Sequence, residues 1–243
     1  MKIFTALLAF ALVTLSYAAD KSASSAQEKI RVLLFTGGHG FTKEPFLKIF
    51  QDNPEITFTH IEHSKDTADG WDRADLTTAD VVVLYDMPKV ITPAQQERIR
   101  SLFARGTGLV VLHHALVMVH QWAEYERIIG GIYPTNSAPG KSTVGYRHDV
   151  EIPVVVANHD HPITAGFSDF TVNDEIYWGY RVGADVTPLL TTTQPESGKP
   201  LAWCRTEEKS RVVYLQLGHG PSCYNDPHYR DFLARCLRWA ARR

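Results

Sequence analysis

Histidine falls at three places where an apolar run of this 243-residue chain gives way to a turn: His39 in Gly37-Gly38-His39-Gly40, the pair His113-His114, and His219 in Gly218-His219-Gly220. Imidazole has an unperturbed pKa of about 6.5, so it can take or give a proton near neutral pH, and its bare nitrogen is a good ligand for a divalent ion. Asp174 and Glu175 end a further apolar stretch beside Tyr177 and Trp178, which places carboxylates next to flat aromatic surface of the kind a sugar ring stacks against. His113 and His219 as acid–base or metal-binding groups, with Glu175 as their carboxylate partner, form the expected catalytic set. Gly38, His39, His114, Asp174, Tyr177 and Trp178 are the expected substrate contacts. If a divalent ion such as zinc is held, the expected ligands are His39, His113 and His219, although no HExxH-type spacing fixes their geometry.

Other chemistry finds less in the chain. The loop at residues 37–40 is neither GxGxxG nor GxxxxGK[ST], so nucleotide binding is not indicated. No GxSxG occurs, and the turn after the run at residues 108–112 carries histidine where a nucleophile would stand. A two-carboxylate glycosidase needs a second acid near Glu175, for which Asp86 and Asp174 are the candidates. His159 and His161 flank Asp160 before Pro162, a pattern that a turn explains without catalysis. Cys204, Cys223 and Cys236 fit no CxxC pattern and read as small buried hydrophobes.

The elements that must carry these groups follow from periodicity. Residues 31–36, 81–86 and 108–112 are continuous apolar runs, the pattern of strands buried on both faces of a parallel sheet. Residues 56–61 alternate as another strand. Between them lie a helix over 42–52, with Phe46, Leu47 and Phe50 at helical spacing, and a second opened by Thr92-Pro93-Ala94-Gln95, a capping-box sequence, and closed at Gly106. A short helix over 121–129 stops at Gly130-Gly131, with Trp122 and Tyr125 in the core, and a Pro- and Gly-containing loop over 133–141 is expected to cover part of the site. Strands follow at 150–156, 170–176, 201–204 and 212–217, then a final helix capped by Asp226-Pro227. Alternation of this kind predicts an α/β fold with a mainly parallel central sheet and helices on both faces. In such sheets ligands bind beyond the carboxyl ends of the strands, which is where the three histidine turns fall.

The chain is 44% hydrophobic and 21% charged with a formal net charge of −2, and its Lys and Arg residues form no run beyond Arg242-Arg243. This is the balance of a globular protein with no footprint for nucleic acid. Lys2, the apolar residues 3–15 and Ser16-Tyr17-Ala18 have the parts of a secretory signal peptide, with cleavage expected after Ala18. The apolar run is short for a membrane span. The expected organisation is a signal peptide over 1–18, a polar leader over 19–29 and one domain over 30–243, giving a periplasmic or secreted protein with no membrane association after cleavage.

Gly108-Leu-Val-Val-Leu-His113-His114-Ala115, the Trp122 helix closing on Gly130-Gly131, His161-Pro162-Ile-Thr, Asp174-Glu175-Ile-Tyr177, the strand from Pro200 to Trp203, and Arg211-Val-Val-Tyr followed by Gly218-His219 together resemble the ThuA-like, or trehalose utilisation, family. The resemblance runs in order from about residue 30 to Ala240. It implies a class I glutamine amidotransferase-like, flavodoxin-like α/β/α sandwich of three layers. In amidotransferases the corresponding strand ends in a nucleophilic cysteine; His113 stands there in this chain, which argues against amidotransferase chemistry. His114 occupies a position where the family commonly has serine. The family's tie to sugar metabolism implies a small-molecule carbohydrate as partner. The expected function is a hydrolase or lyase acting on a glycoside or 3-keto-glycoside, and the rival is a non-catalytic sugar-binding protein on the same scaffold.

Overall fold

The computed structural model describes residues 28–64, 66–117, 122–134 and 144–243. The expected signal peptide, most of the leader and most of the loop over 133–141 lie outside the described residues. No helix among the described residues is long and apolar enough to cross a membrane.

In chain order the elements are β1 (Ile30–Gly37), α1 (Lys43–Gln51), β2 (Ile56–Glu62), α2 (Gly70–Arg73), β3 (Val81–Asp86), α3 (Pro93–Arg105), β4 (Gly108–Leu112), α4 (Ala123–Ile129), β5 (Gly131–Ile132), β6 (Gly145–Val156), β7 (Phe170–Trp178), β8 (Arg181–Val182), β9 (Thr187–Thr192), β10 (Ala202–Glu207), β11 (Ser210–Leu215), α5 (Pro221–Tyr224) and α6 (Pro227–Ala240). Nine strands form one sheet in the order β2-β1-β3-β4-β11-β10-β9-β6-β7, and β5 pairs separately with β8.

The sheet has two halves. β2, β1, β3, β4 and β11 are parallel neighbours, whereas β11, β10, β9, β6 and β7 are joined by antiparallel pairings. The expected parallel core is therefore present, and an antiparallel wing extends it. Alternate residues of β1 sort to opposite sides: Ile30, Val32 and Leu34 pack with α1 and α6, and Leu33 and Phe35 pack with Trp71, Ile99 and Tyr125 of α2, α3 and α4. Period-two alternation between two apolar faces is what three layers require of a central strand.

Local signals hold up at the helix ends. Thr92 accepts from the Gln95 backbone N–H while the Gln95 side chain accepts from the Thr92 N–H, and Gly106 closes α3 in the left-handed region with φ 82°. Asp226 accepts from the N–H groups of His228 and Tyr229 at the start of α6. All three cysteines are free and buried.

Candidate functional site

The parallel half delivers histidines to one end of the sheet. His113 follows the last residue of β4 and is fully buried, with a left-handed φ of 50°. A non-glycine residue is held there only where its surroundings over-determine it, and three contacts do so. The His113 carbonyl accepts from Tyr214 Oη at 3.1 Å, its Nδ1 lies 2.6 Å from the Gln216 carbonyl oxygen, and its ring stacks on Tyr177 with centroids 4.9 Å apart. Because a carbonyl can only accept, Nδ1 carries the hydrogen and the Nε2 lone pair is free in the neutral ring.

The antiparallel wing delivers the carboxylates. β7 packs on α5 and passes the turn after β11, so that consecutive residues grip it differently. Asp174 accepts from the backbone N–H groups of Gly218 at 2.6 Å and His219 at 2.9 Å. Glu175 reaches the side chains: its Oε2 lies 2.9 Å from His113 Nε2 and 3.1 Å from His219 Nδ1, and its Oε1 lies 2.8 Å from His148 Nε2. His113 Nε2 and His219 Nδ1 are 3.3 Å apart, and Tyr177 Oη is 2.9 Å from His113 Nε2. One carboxylate thus faces three imidazoles.

Its electrostatics follow. Burial acts to raise the Glu175 carboxyl, but hydrogen bonds and charges from His113 and His219 outweigh it and hold the group well below the usual carboxylate range. His219 is raised, chiefly by its hydrogen bond to Glu175. Burial, then the Glu175 charge, keeps the Tyr177 phenol far above its ordinary value and hence a neutral O–H donor.

The donor set also fits a metal. His113 Nε2, Glu175 Oε2 and His219 Nδ1 lie within 4.8 Å of one another. Metal–ligand bonds of about 2.0–2.2 Å give ligand–ligand edges of about 2.9 Å in an octahedron and about 3.3 Å in a tetrahedron. The observed edges of 2.9, 3.1 and 3.3 Å span that range. The Nδ1–H of His113 held by a carbonyl is the outer-shell contact that fixes a ligating tautomer.

Of the expected site residues, the structure brings together His113, His219, Glu175, Asp174 and Tyr177. Glu175, not His39, completes the trio of possible metal ligands. His39 is exposed, its ring stacked on His114 with centroids 4.3 Å apart, and burial followed by the charges of His113 and His219 lowers its pKa. His114 is buried between His39 and Tyr85, and burial pushes it far below the usual imidazole range. Gly38 has φ 75° because a Cβ there would meet the Met87 carbonyl oxygen at 2.2 Å; its close approach is to the chain after β3. Trp178 lies over Gly145, and Asp174 is occupied by backbone amides. Asp86 is paired with His63, so neither carboxylate proposed as a second acid is free for that role.

Sequence reasoning missed His148, Tyr146 and Tyr133. β6 begins at Gly145, five residues before the expected strand, and its pairing with β7 shifts register between Arg147 and Val150 around Asp149, which has φ 56°. The irregularity breaks the alternation that marks a strand. Tyr146 is 58% exposed and its ring lies 5.4 Å from that of His148, which stacks on His219 at 4.4 Å. The signal available was the order Tyr146, His148, Val150 at two-residue steps.

A family model described as ThuA, trehalose utilisation, matches residues 31–240. None of the curated proteins compared with the chain matches it. Among solved structures, a ThuA-like protein from Parabacteroides merdae is similar with a TM-score of 0.77 at 17% identity, covering 88% of this chain and 90% of that one. A ThuA-like protein from Bacteroides uniformis gives 0.61 at 20% identity, covering 93% and 95%. A GMP synthase protein from Thermoplasma acidophilum gives 0.53 at 10% identity over 88% and 96%, which ties the fold to the amidotransferase-like class.

Proposed function

The chain belongs to the ThuA family, and from that premise we propose that it is a carbohydrate-processing enzyme, a hydrolase or lyase of glycosides or 3-keto-glycosides, holding a divalent ion such as zinc on His113, Glu175 and His219. One observation carries the reading. Three lone-pair donors on three separate elements meet at 2.9–3.3 Å with no N–H or O–H group committed between them when the rings are neutral. Such crowding of acceptors calls for a positive charge, and a divalent ion supplies it.

When bound, the ion polarises a sugar carbonyl or acidifies a water. The chain's own residues do the rest. Tyr177 donates its phenolic hydrogen into the trio, and the Gln216 carbonyl holds the His113 ring. His148 is half exposed and tied to the second oxygen of Glu175, so it takes the proton, either from water or from the carbon beside a sugar ketone, and returns it to the departing glycosidic oxygen. Tyr146 offers an exposed ring beside it for the apolar face of a sugar. His39, lowered in pKa, is a neutral hydrogen-bond partner for hydroxyls. Export through the residue 1–18 signal remains part of this proposal, with small-molecule carbohydrate as the partner.

The test is elemental analysis of the purified chain together with a panel of disaccharides and their 3-keto derivatives. Near one equivalent of divalent metal, lost in Glu175→Gln along with turnover, is expected. Saturable sugar binding with no product over long incubation would favour the non-catalytic alternative and sink the enzymatic reading.

A further inference from the structure

At the opposite end of β11 from His219 lies a cleft of about 420 Å³ lined by Arg211, Arg235, Arg238, Arg242, Arg243 and Trp239. A chain with net charge −2 has here gathered five guanidinium groups around one space. Acidic neighbours reach only part of the set: Asp231 lies 2.9 Å from Arg235, and Glu55 lies 2.8 Å from Arg238. Arg211 donates Nη1 to the Trp239 carbonyl at 2.9 Å and lies over the Trp239 ring, 4.9 Å from its centroid. Arg242 donates to the Lys209 carbonyl. Among the described residues neither has a carboxylate within ion-pair distance. Burial, then the charge of Arg242, lowers the pKa of Arg211, as expected of like charges brought together without an anion.

We propose that this cleft binds a phosphate group, as a phosphomonoester or as the free ion. A guanidinium presents its N–H groups as a planar fork that matches phosphate oxygens. Two uncompensated guanidiniums balance the charge of about −1.5 to −2 that a phosphomonoester carries at neutral pH. The cleft also exceeds what the anion alone fills, leaving room beside Trp239 for the organic part of an ester. The site is separate from the histidine cluster and does not depend on the function proposed for it.

Titration calorimetry of the full chain at low ionic strength with inorganic phosphate, glycerol 3-phosphate and glucose 6-phosphate tests this. Saturable binding of at least one is expected, tighter for the esters if an ester is the natural occupant and equal or tighter for inorganic phosphate if the free ion is. Arg242→Gln, at an exposed residue, should raise Kd at least about tenfold, and adding Arg211→Gln should abolish binding. Arg230→Gln, which lies outside the cleft and pairs with Asp52, should leave it unchanged. No saturable binding of any of the three, an unchanged Kd in Arg242→Gln, or an equal loss in Arg230→Gln overturns the proposal.

Discussion

Two buried histidine–carboxylate pairs sit in this molecule with nearly the same contact distance and opposite consequences. His63 Nε2 lies 2.8 Å from Asp86 Oδ2, and His113 Nε2 lies 2.9 Å from Glu175 Oε2. In the first pair the donors and acceptors of the ring balance: Gly70 N–H donates to His63 Nδ1 at 2.9 Å, so Nε2 carries the hydrogen and gives it to Asp86. Both side chains are sealed at 0% exposure. In the second pair the ring's hydrogen is spent on the Gln216 carbonyl, and a bare nitrogen is turned to a carboxylate that two more histidines also face. A balanced ring fastens two segments together; an unbalanced one is chemically unfinished.

The contrast can be broken most directly at His113. Asparagine tolerates its left-handed backbone better than most residues, so His113→Asn should fold with nearly unchanged stability while turnover of the sugar substrate falls by about 10²–10⁴-fold. If thermal unfolding instead shows a collapse of the fold with activity per folded molecule intact, the two pairs are alike and the distinction fails. The converse change is His63→Ala, which strands Asp86 without its partner. It should cost about 3 kcal/mol of stability in denaturant titration and leave kcat of the folded fraction within about twofold; a selective loss of kcat would move this pair into the functional class.

A smaller effect sharpens the description of the sealed side. Asp69, beside His63, accepts from the Ser64 backbone N–H and hydroxyl at 2.7 Å each, and these bonds hold its carboxyl near a pKa of about 2 against an ordinary 3.8. A depressed pKa stabilises the fold above the ordinary value and ceases to as the pH falls through the folded one. The stability gap between the native chain and Asp69→Asn should be constant above about pH 5 and close as the pH approaches 2. A gap that widens in acid would contradict the assignment. The smallest expected signal comes from a third histidine pairing, His161 Nε2 to Cys204 Sγ at 3.4 Å. Burial pushes that thiol up to about 12, so alkylation of the native chain at neutral pH should be slow compared with the unfolded chain. Rapid modification of Cys204 under native conditions would mean the pair is reactive.

Much of the scaffold was legible because its causes are local. Thr92, Gln95 and Gly106 bound α3 by capping chemistry that acts within four residues, and the apolar runs of β1, β3 and β4 mark strands covered on both sides. The three histidine turns were legible for the same reason: they follow those runs. What the chain did not disclose was the partner each group would meet. Glu175 and His148 stand on an antiparallel pair, and nothing in their neighbourhood along the chain states that β7 passes the turn after β11. Asp174 and Glu175 are adjacent in sequence and look equivalent, yet one holds backbone amides and the other three imidazoles. Tyr177 was placed at the site but in a different capacity, since its ring is packed beneath His113 and the exposed aromatic is Tyr146.

The separation of 106 positions between His113 and His219, whose nitrogens lie 3.3 Å apart, also bears on how the chain acquires its centre. Contacts so remote along the polymer form only after the intervening loop has been closed by the sheet, at an entropic cost that local structure does not offset. The cluster is therefore among the last features to assemble, and a partly folded chain offers scattered single histidines in place of a chelating site. Metal capture would then be confined to the finished fold, and loading the ion would act as a latch on the native state rather than a guide towards it.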